Sequence, residues 1–211
     1  MKQRSAPKKP RGAYHHGDLS RAAQDVGASL VEQVGPSGFT LAEVAKRLGV
    51  TAAALYRHFA HREALLFAIA IESFASFGGG LARAAALPAS ERVEAMASAY
   101  VDYALKHPAR YELMFATRFV HPRPVALEAA GDAAFATLVE ALGAVVPGVS
   151  EEALVALAKQ AWALCHGLAS LLVSGAIPRT PKQVKGLAVH GVAALLAAAR
   201  HSRSDTDGPS S

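Results

Sequence analysis

The chain has 211 residues, of which 52% are hydrophobic and 7% aromatic, so alanine and leucine supply most of its apolar character. Both are strong helix formers, which favours helices over strands, and the single cysteine, Cys165, excludes an internal disulfide framework. The formal net charge of +5 lies in the first third of the chain, because residues 1–62 contain ten Lys/Arg against four Asp/Glu, which indicates a polyanion-binding module joined to a neutral one.

Four helices are predicted in this first third, at about residues 18–34, 40–47, 51–59 and 61–77. The expected N-caps include Asp18, Thr40 and Thr51, since a short polar side chain accepts a hydrogen bond from the free N–H groups of a first turn. Gly49 is expected to end the second helix, and the glycine triplet 78–80 to end the fourth.

Five further helical segments follow, separated mostly by prolines, at about residues 89–106, 109–120, 123–146, 150–175 and 181–200. The two ends of the chain are polar and are expected to be disordered, as a basic arm at residues 1–14 and a tail at residues 201–211. Because there is no alternating strand pattern and no internal repeat, the sequence predicts an all-α chain of about nine helices.

The second and third predicted helices, joined at Gly49, have the arrangement of a helix-turn-helix, whose second helix enters the DNA major groove. The angle between the two helices would be fixed by a shared apolar face, which contains Leu41, Val44, Ala45, Leu48 and Leu55. The sequence therefore predicts an N-terminal DNA-binding domain of three helices.

The side chains expected to face DNA fall into two groups. The first turn of the third helix carries Thr51, Ala52 and Ala53, and alanine there allows the backbone to approach the bases and to touch thymine methyl groups. Longer groups that reach phosphates or a base edge follow at Tyr56, Arg57, His58 and Arg62. Of the two aromatic residues in this stretch, Phe59 is expected in the core because it closes the apolar face, whereas Tyr56 fits either the core or the DNA surface.

Residues 39–66, FTLAEVAKRLGVTAAALYRHFAHREALL, resemble the DNA-binding region of TetR-type bacterial transcriptional regulators, and the resemblance extends over about residues 15–67. Three other segments resemble the TetR subgroup whose C-terminal domain carries a Trp…His-Gly signature. They are YHHGDL at 14–19, HPARYELMF at 107–115 and AWALCHGLASLL at 161–172.

The resemblance implies a homodimer with a helix-turn-helix DNA-binding domain at residues 15–62 and a helical effector-binding and dimerisation domain at residues 63–200. Filling the effector pocket would weaken DNA binding, so we expect a repressor of a palindromic operator with half-sites about 34 Å apart or at a multiple of that spacing. The matching positions imply phosphate contacts by Thr40, Tyr56, His58 and Arg62. The positions that imply base-facing or groove-facing contacts are Thr51, Ala52, Ala53 and Arg57.

Aromatic and soft side chains on the middle helices are the candidates for an apolar effector pocket: Tyr100, Tyr103, Met114, Phe115, Phe119, Phe135, Trp162 and Cys165. Few paired charges fall on these segments, so the effector is expected to be uncharged or weakly charged. The last two predicted helices contain long uncharged stretches, which are expected to form the dimer interface through Leu157, Ala161, Leu164, Leu168, Leu172, Leu187, Leu195 and Leu196.

Two other classes of protein remain open. A small all-α enzyme would use His166 or Cys165, although neighbours in sequence do not face each other on a helix. An architectural DNA-binding protein would bind DNA with little regard for its sequence and without an effector. Trp162 and His166 share a helix face, which favours packing between helices over ligand contact.

Other kinds of site have no support in the pattern. The nine histidines show no HExxH or CxxC spacing, so no metal or cofactor is expected. The uncharged run 161–178 contains His166 together with glycine and serine residues, and it is short for a membrane span. The basic N-terminus has no apolar stretch behind it and is unlike a secretory signal, so we expect a cytoplasmic protein with no membrane partner.

Overall fold

The computed structural model describes residues 16–116, 124–178 and 180–204, with side chains described for 19–116, 124–178 and 180–201. Those residues form helices and no strand: α1 (His16–Val34), α2 (Leu41–Leu48), α3 (Ala52–Tyr56), α4 (Arg62–Ala85), α5 (Ala89–Lys106), α6 (Pro108–Phe115), α7 (Val125–Gly143), α8 (Glu151–Val173) and α9 (Pro181–Ser204). The prediction of an all-α fold is therefore confirmed.

Helices α1, α2 and α3 form a small head around an apolar core, in which Leu30, Val44 and Leu55 are fully buried. The head is held against α4 by close packing at Gly27 of α1. A Cβ atom at this position would lie 2.9 Å from Cδ1 of Ile69 in α4, so glycine is what lets the two helices approach this closely.

Helix α4 is longer than the sequence predicted, because it continues through the glycine triplet 78–80 and ends at Ala85. Phe77 and Leu81 are buried on either side of the triplet, and a Cβ atom at Gly78 would lie 3.6 Å from that of Ala134 in α7. Glycine in a helix costs about 1 kcal/mol relative to alanine, and the burial of the neighbouring apolar side chains offsets that cost. The predicted stop was wrong, and α4 is one continuous helix from the head into the body.

Smaller differences occur at other helix ends. Helix α1 begins at His16, so Asp18 lies within its first turn instead of capping it. Helix α3 ends at Tyr56, earlier than expected, and α9 continues to Ser204, beyond the predicted end at residue 200. The predicted arm at residues 1–14 and the rest of the predicted tail lie outside the described residues.

Helices α4 to α9 form the body of the protein. Helix α4 packs against α5 and α7, and α8 packs against α5, α7 and α9. The short α6 contacts α4 and α5 within the body and also α1 of the head. The head is therefore attached to the body through two helices, the continuous α4 and the short α6.

Two helices among the described residues, α4 and α8, are long and apolar enough to cross a membrane when only length and composition are considered. In the most apolar 18-residue window of each, 44% of the residues of α4 and 28% of those of α8 are buried. Core helices of helical bundles pass the same test, and α4 packs against α1, α5, α6 and α7. The length and hydropathy of these helices therefore assign neither of them to a membrane.

Candidate nucleic-acid interface and buried aromatic cavity

Local hydrogen bonds fix the helix-turn-helix at both of its helix starts. Oγ1 of Thr40 accepts the N–H of Glu43 at 3.2 Å, and Oγ1 of Thr51 accepts the N–H of Ala54 at 3.2 Å. Gly49 ends α2 with φ at 68°, in the left-handed region that glycine adopts without steric cost. The caps and the turn predicted from the sequence are confirmed here.

The predicted base-reading and phosphate-contacting side chains of the third helix lie on its accessible side. They are exposed or partly exposed at Thr51, Ala52, Ala53, Tyr56, Arg57 and His58. Tyr56 is 54% exposed, which excludes a core role for this large aromatic side chain, whereas Phe59 is 5% exposed and belongs to the core as predicted. Helix α3 thus presents a surface that is polar at its C-terminal end and methyl-rich at its start.

Within the described part of the chain, the hydroxyl of Tyr56 and the guanidinium of Arg57 form no hydrogen bond or ion pair. Contact with DNA would therefore break no interaction of either group with the described residues. An arginine in this state can bind a phosphate, or can bind the edge of a guanine through two parallel hydrogen bonds.

Arg62, in contrast, is already engaged within the head. Its Nη1 donates to the Ser37 carbonyl at 3.3 Å, and its Nη2 lies 3.3 Å from Oε1 of Glu63. The pKa of the Glu63 carboxyl is lowered, chiefly by a hydrogen bond from the residue's own backbone N–H and then by the Arg62 guanidinium. A phosphate contact by Arg62 therefore has to compete with these two partners.

The body contains a partly open apolar cavity of about 30 Å³, which is room for about two water molecules. Three of the predicted pocket residues line it, Tyr100, Trp162 and Cys165. The rest of its wall is aliphatic and includes Leu81 of α4 and Met96 of α5. Sequence analysis did not select these aliphatic residues, because their helical spacing is the same whether they face a void or a neighbouring side chain.

Trp162 is the centre of an aromatic cluster, of which Trp162 and Tyr100 line this cavity. The rings of Phe77, Tyr100, Phe115 and Phe135 pack edge-to-face on it, with centroid distances from 5.4 to 6.3 Å. Such pairs stabilise beyond the area that they bury. The five rings come from α4, α5, α6, α7 and α8, so a substitution at Trp162 would alter the packing between these five helices.

The other predicted pocket residues do not line the cavity. Phe115 and Phe135 lie behind Trp162, and Met114 is fully buried in the core. Tyr103 donates its hydroxyl to the Ser73 carbonyl at 3.0 Å. Phe119 falls within 117–123, outside the described residues.

A partly buried polar cluster joins α5, α6 and α8 beside the aromatic rings. Nδ1 of His166 lies 2.8 Å from the hydroxyl of Tyr111 and 3.1 Å from the hydroxyl of Tyr100. The Tyr111 hydroxyl also lies 3.4 Å from Oγ of Ser170. Burial lowers the pKa of His166 and raises the pKa of both tyrosines. The cluster therefore favours a neutral imidazole whose Nδ1 accepts a hydrogen bond from a tyrosine hydroxyl.

Acid is expected to destabilise the wild-type protein more steeply than a His166→Gln variant. Because burial holds the pKa of His166 below its ordinary value of 6.5, the unfolded chain takes up that proton first. The free energy of unfolding therefore falls as the pH drops below about 6.5. Burial also lowers the pKa of His107, so the substitution removes only part of the slope.

Urea unfolding at a series of pH values on both sides of 6.5 measures this slope. The matched control is His190→Gln, at an exposed histidine of α9, which should keep the wild-type pH dependence. Identical slopes for the wild type and for His166→Gln would contradict the role given to the buried imidazole.

The environment of Cys165 does not favour nucleophilic chemistry. Burial raises the pKa of its thiol to about 11, so the thiol is protonated at neutral pH. The neighbouring His166 directs its Nδ1 to the two tyrosine hydroxyls. An arrangement in which the histidine activates the cysteine is therefore not formed.

The predicted interface residues divide into two groups. Leu157, Ala161 and Leu196 are buried within the protomer, so a second copy cannot contact them unless the core opens, and they leave the proposed interface. This correction arises because α8 and α9 pack against each other and against α5, so each helix turns an apolar stripe inward.

The second group, on α8 and α9, remains at least partly accessible. Leu187 is 45% exposed, and the partly exposed members are Leu164, Leu168, Leu172 and Leu195. Leu171 is 43% exposed and was missed by the sequence analysis. The exposure of Leu171 on α8 is visible only in the structure, and it makes this residue a further candidate for the proposed interface.

Taken together, the capped helix-turn-helix and the helical body define a DNA-binding protein with a separate C-terminal domain. Residues 25–69 match the bacterial regulatory proteins of the tetR family, and residues 93–195 match the tetracyclin repressor-like C-terminal domain. The chain belongs to the TetR family and is a DNA-binding transcriptional regulator, a class of proteins that does not include enzymes.

Solved structures share this fold. A protein of unknown function from Rhodococcus sp. RHA1 is 30% identical, with 89% of this chain and 98% of that chain covered and a TM-score of 0.75. A TetR-family transcriptional regulator from Streptomyces coelicolor is 22% identical (86% and 96% covered, TM-score 0.68). The TetR-family regulator PfmR from Thermus thermophilus is 17% identical (83% and 97% covered, TM-score 0.60). No curated protein matches the chain.

Proposed function

We propose that this regulator is a repressor that binds a palindromic operator as a homodimer and is released by a small apolar effector. The observation that carries the proposal is the exposed surface of α3, on which Tyr56 and Arg57 have no partner among the described residues. Exposed polar groups of this kind on the second helix of a helix-turn-helix are positioned for the major groove.

We assign DNA roles according to reach and chemistry. Arg57 reads a base edge, because a guanidinium can bind a base through two parallel hydrogen bonds. Tyr56 and Thr40 contact phosphates through their hydroxyl groups, and such contacts carry no sequence information. Ala52 and Ala53 admit the helix to the groove. His58 and Thr51 complete the DNA surface, and Arg62 adds a weaker phosphate contact.

Dimerisation is supported by the outer faces of α8 and α9. Leu171 and Leu187 are exposed there, and the exposed Ala163 and Ala194 have short side chains that permit close approach of a second protomer. A two-fold axis along this surface would combine α8 and α9 of both copies into a four-helix interface. Both copies would then present α3 to successive grooves of the same duplex.

The effector site is supported by the cavity beside Trp162. Its wall is aliphatic and aromatic, with one protonated thiol at Cys165 and no charged side chain, which favours an uncharged apolar molecule. Because the cavity has a volume of only about 30 Å³, an effector has to displace lining side chains. Binding would select a conformer with the helices moved apart, and its effect on DNA affinity equals its difference in affinity for the two conformers.

The division of labour that we propose assigns residues 15–62 to DNA binding and residues 63–200 to effector binding and dimerisation. Helix α4 starts at Arg62 and continues into the body, so the two parts share one rigid element. A bacterial regulator works where the chromosome lies, which places this protein in the cytoplasm.

Binding to the DNA upstream of its own gene tests the proposal. Fluorescence anisotropy at fixed salt, with and without unlabelled random DNA, should give tight binding that resists the competitor. Binding that the competitor abolishes would instead support an architectural DNA-binding protein. Turnover that survives the loss of Tyr56 and requires His166 would support an enzyme.

A further inference from the structure

Glu32 of α1 connects the DNA-binding head to the first turn of α6. Its carboxylate accepts the backbone N–H of Ala109 at 3.2 Å, the backbone N–H of Arg110 at 3.4 Å and Nε–H of Arg110 at 3.1 Å. The side chains of Glu32 and Arg110 are each 24% exposed, so water screens this ion pair only in part. One carboxylate thus forms three hydrogen bonds across 77 and 78 positions of sequence.

Helix α6 depends on this carboxylate because it has no cap of its own. The side chain of His107, at its N-cap position, accepts no backbone N–H of the first turn, and Pro108 has no N–H to donate. The free N–H groups of a helix start attract a negative charge, and Glu32 supplies it from another helix. Because the cap of α6 comes from α1, across the junction between the head and the body, the position of α6 depends on the position of the head.

The same short helix also contacts the wall of the effector cavity. Tyr111 follows Arg110 directly, is 2% exposed, and places its hydroxyl 2.8 Å from Nδ1 of His166. That nitrogen also lies 3.1 Å from the hydroxyl of Tyr100, which lines the cavity. Tyr100 and Tyr111 are therefore the two ends of one hydrogen-bonded chain through His166. A displacement of Tyr100 at the cavity changes the contacts of Tyr111 in α6.

A second set of contacts holds α6 and the end of α5 in place at the same junction. The ring of Tyr103 lies 5.2 Å from that of His107, and its hydroxyl bonds to the Ser73 carbonyl of α4 at 3.0 Å. His107 also contacts the Arg110 guanidinium and lies 3.9 Å from Glu32. The Glu32 carboxylate is thus linked to α6 directly, and through His107 and Tyr103 to α5 and α4.

We infer that Glu32 is a positioning residue that couples the orientation of the DNA-binding head to the state of the effector cavity, through α6 and the Tyr111–His166–Tyr100 chain. The inference rests on the proposed function and specifies how the cavity and the head communicate. Coupling between two sites is reciprocal. If effector binding changes the free energy of operator binding, operator binding has to change the free energy of effector binding by the same amount, and so has to alter the state of the cavity.

This reciprocity provides a test that needs no effector. Trp162 is the only tryptophan of the chain and lies in the cavity wall, so its fluorescence reports the cavity. We expect operator DNA to shift the Trp162 emission of the wild type, with excitation at the red edge of tryptophan absorption. In Glu32→Ala the shift should be lost, and operator affinity measured by anisotropy should fall about tenfold, because the head is no longer held in one orientation.

Glu72→Ala is the matched control. Glu72 is also a glutamate at the contact between α1 and α4, but its ion pair with Arg21 spans 3.6 Å and both side chains are exposed, so its loss should change little. This variant should keep the wild-type emission shift and affinity. Glu32→Gln keeps an acceptor for the N–H groups and loses the charge, so it should recover part of the shift.

The outcomes separate the inference from the proposed function. A wild type that binds no specific DNA in the anisotropy assay removes the proposed function and the inference with it. A wild type that binds its operator without an emission shift, or a Glu32→Ala protein that keeps the full shift, overturns the inference alone. If circular dichroism shows that Glu32→Ala and Glu32→Gln are both unfolded, Glu32 is a structural residue and the positioning role is also overturned.

Discussion

The Arg57→Ala protein is expected to bind its operator more weakly than the wild type and to discriminate less between operator sequences. The guanidinium is exposed at the C-terminal end of α3 and has no partner among the described residues, and a bidentate contact to a base edge contributes about 1–3 kcal/mol of discrimination. Loss of that contact should therefore make the affinities for single-base variants of the operator converge.

Tyr56→Ala provides the contrasting result. Its hydroxyl is expected to contact a phosphate, which carries no sequence information, so affinity should fall by a similar factor for every duplex while the ranking of duplexes is preserved. Anisotropy titrations of the operator and its single-base variants, at several salt concentrations, separate the two kinds of loss.

The matched control for both variants is Arg83→Ala. Arg83 is an exposed arginine in the last turn of α4, within the body, and it should leave operator binding unchanged. An Arg57→Ala protein with wild-type affinity and an unchanged ranking of duplexes would show that α3 is not the reading helix.

The second large effect is expected from the outer face of α8 and α9. Changing both Leu171 and Leu187 to glutamate should convert the proposed dimer to a monomer, because like charges would meet across the proposed two-fold axis in an apolar interface. Both side chains are more than 40% exposed in the protomer, so the fold of each copy should be retained. Sedimentation equilibrium measures the dissociation, and circular dichroism checks the fold.

Operator binding should weaken with the loss of the dimer. Two linked heads bind a palindrome with an avidity that exceeds the affinity of one head by about 10²- to 10⁴-fold. The control is Val125→Glu, since Val125 is an apolar residue of α7 that is 80% exposed and lies outside the α8 and α9 face. A double variant that stays dimeric would place the interface on another surface.

The geometry of the DNA-binding head could be read largely from the sequence, because it depends on local chemistry. Thr40 and Thr51 cap the helices that follow them, and Gly49 adopts the left-handed turn between them. Each of these effects involves residues within four positions of one another, so no knowledge of the rest of the chain is needed. The exposure of Tyr56 and the burial of Phe59 follow once the axis of α3 is fixed.

The helix boundary at the glycine triplet could not be read in the same way. The sequence signal for a stop at residues 78–80 is real, but Phe77 and Leu81 are anchored in the core, and Ala134 of α7 packs against Gly78. Long-range packing overrides a local preference of about 1 kcal/mol per glycine. The consequence is functional, because the uninterrupted α4 joins the head to the cavity wall.

The sequence by itself determined the helical class, the turn at the DNA-binding head and the residue types on the accessible side of its third helix, since spacing and capping act over short distances. Only the tertiary structure decided which apolar side chains line the cavity, which leucines of α8 and α9 stay exposed, and that Glu32 caps a helix 77 positions away. These depend on which surfaces meet in space, and helical periodicity marks an apolar face without naming the element that covers it.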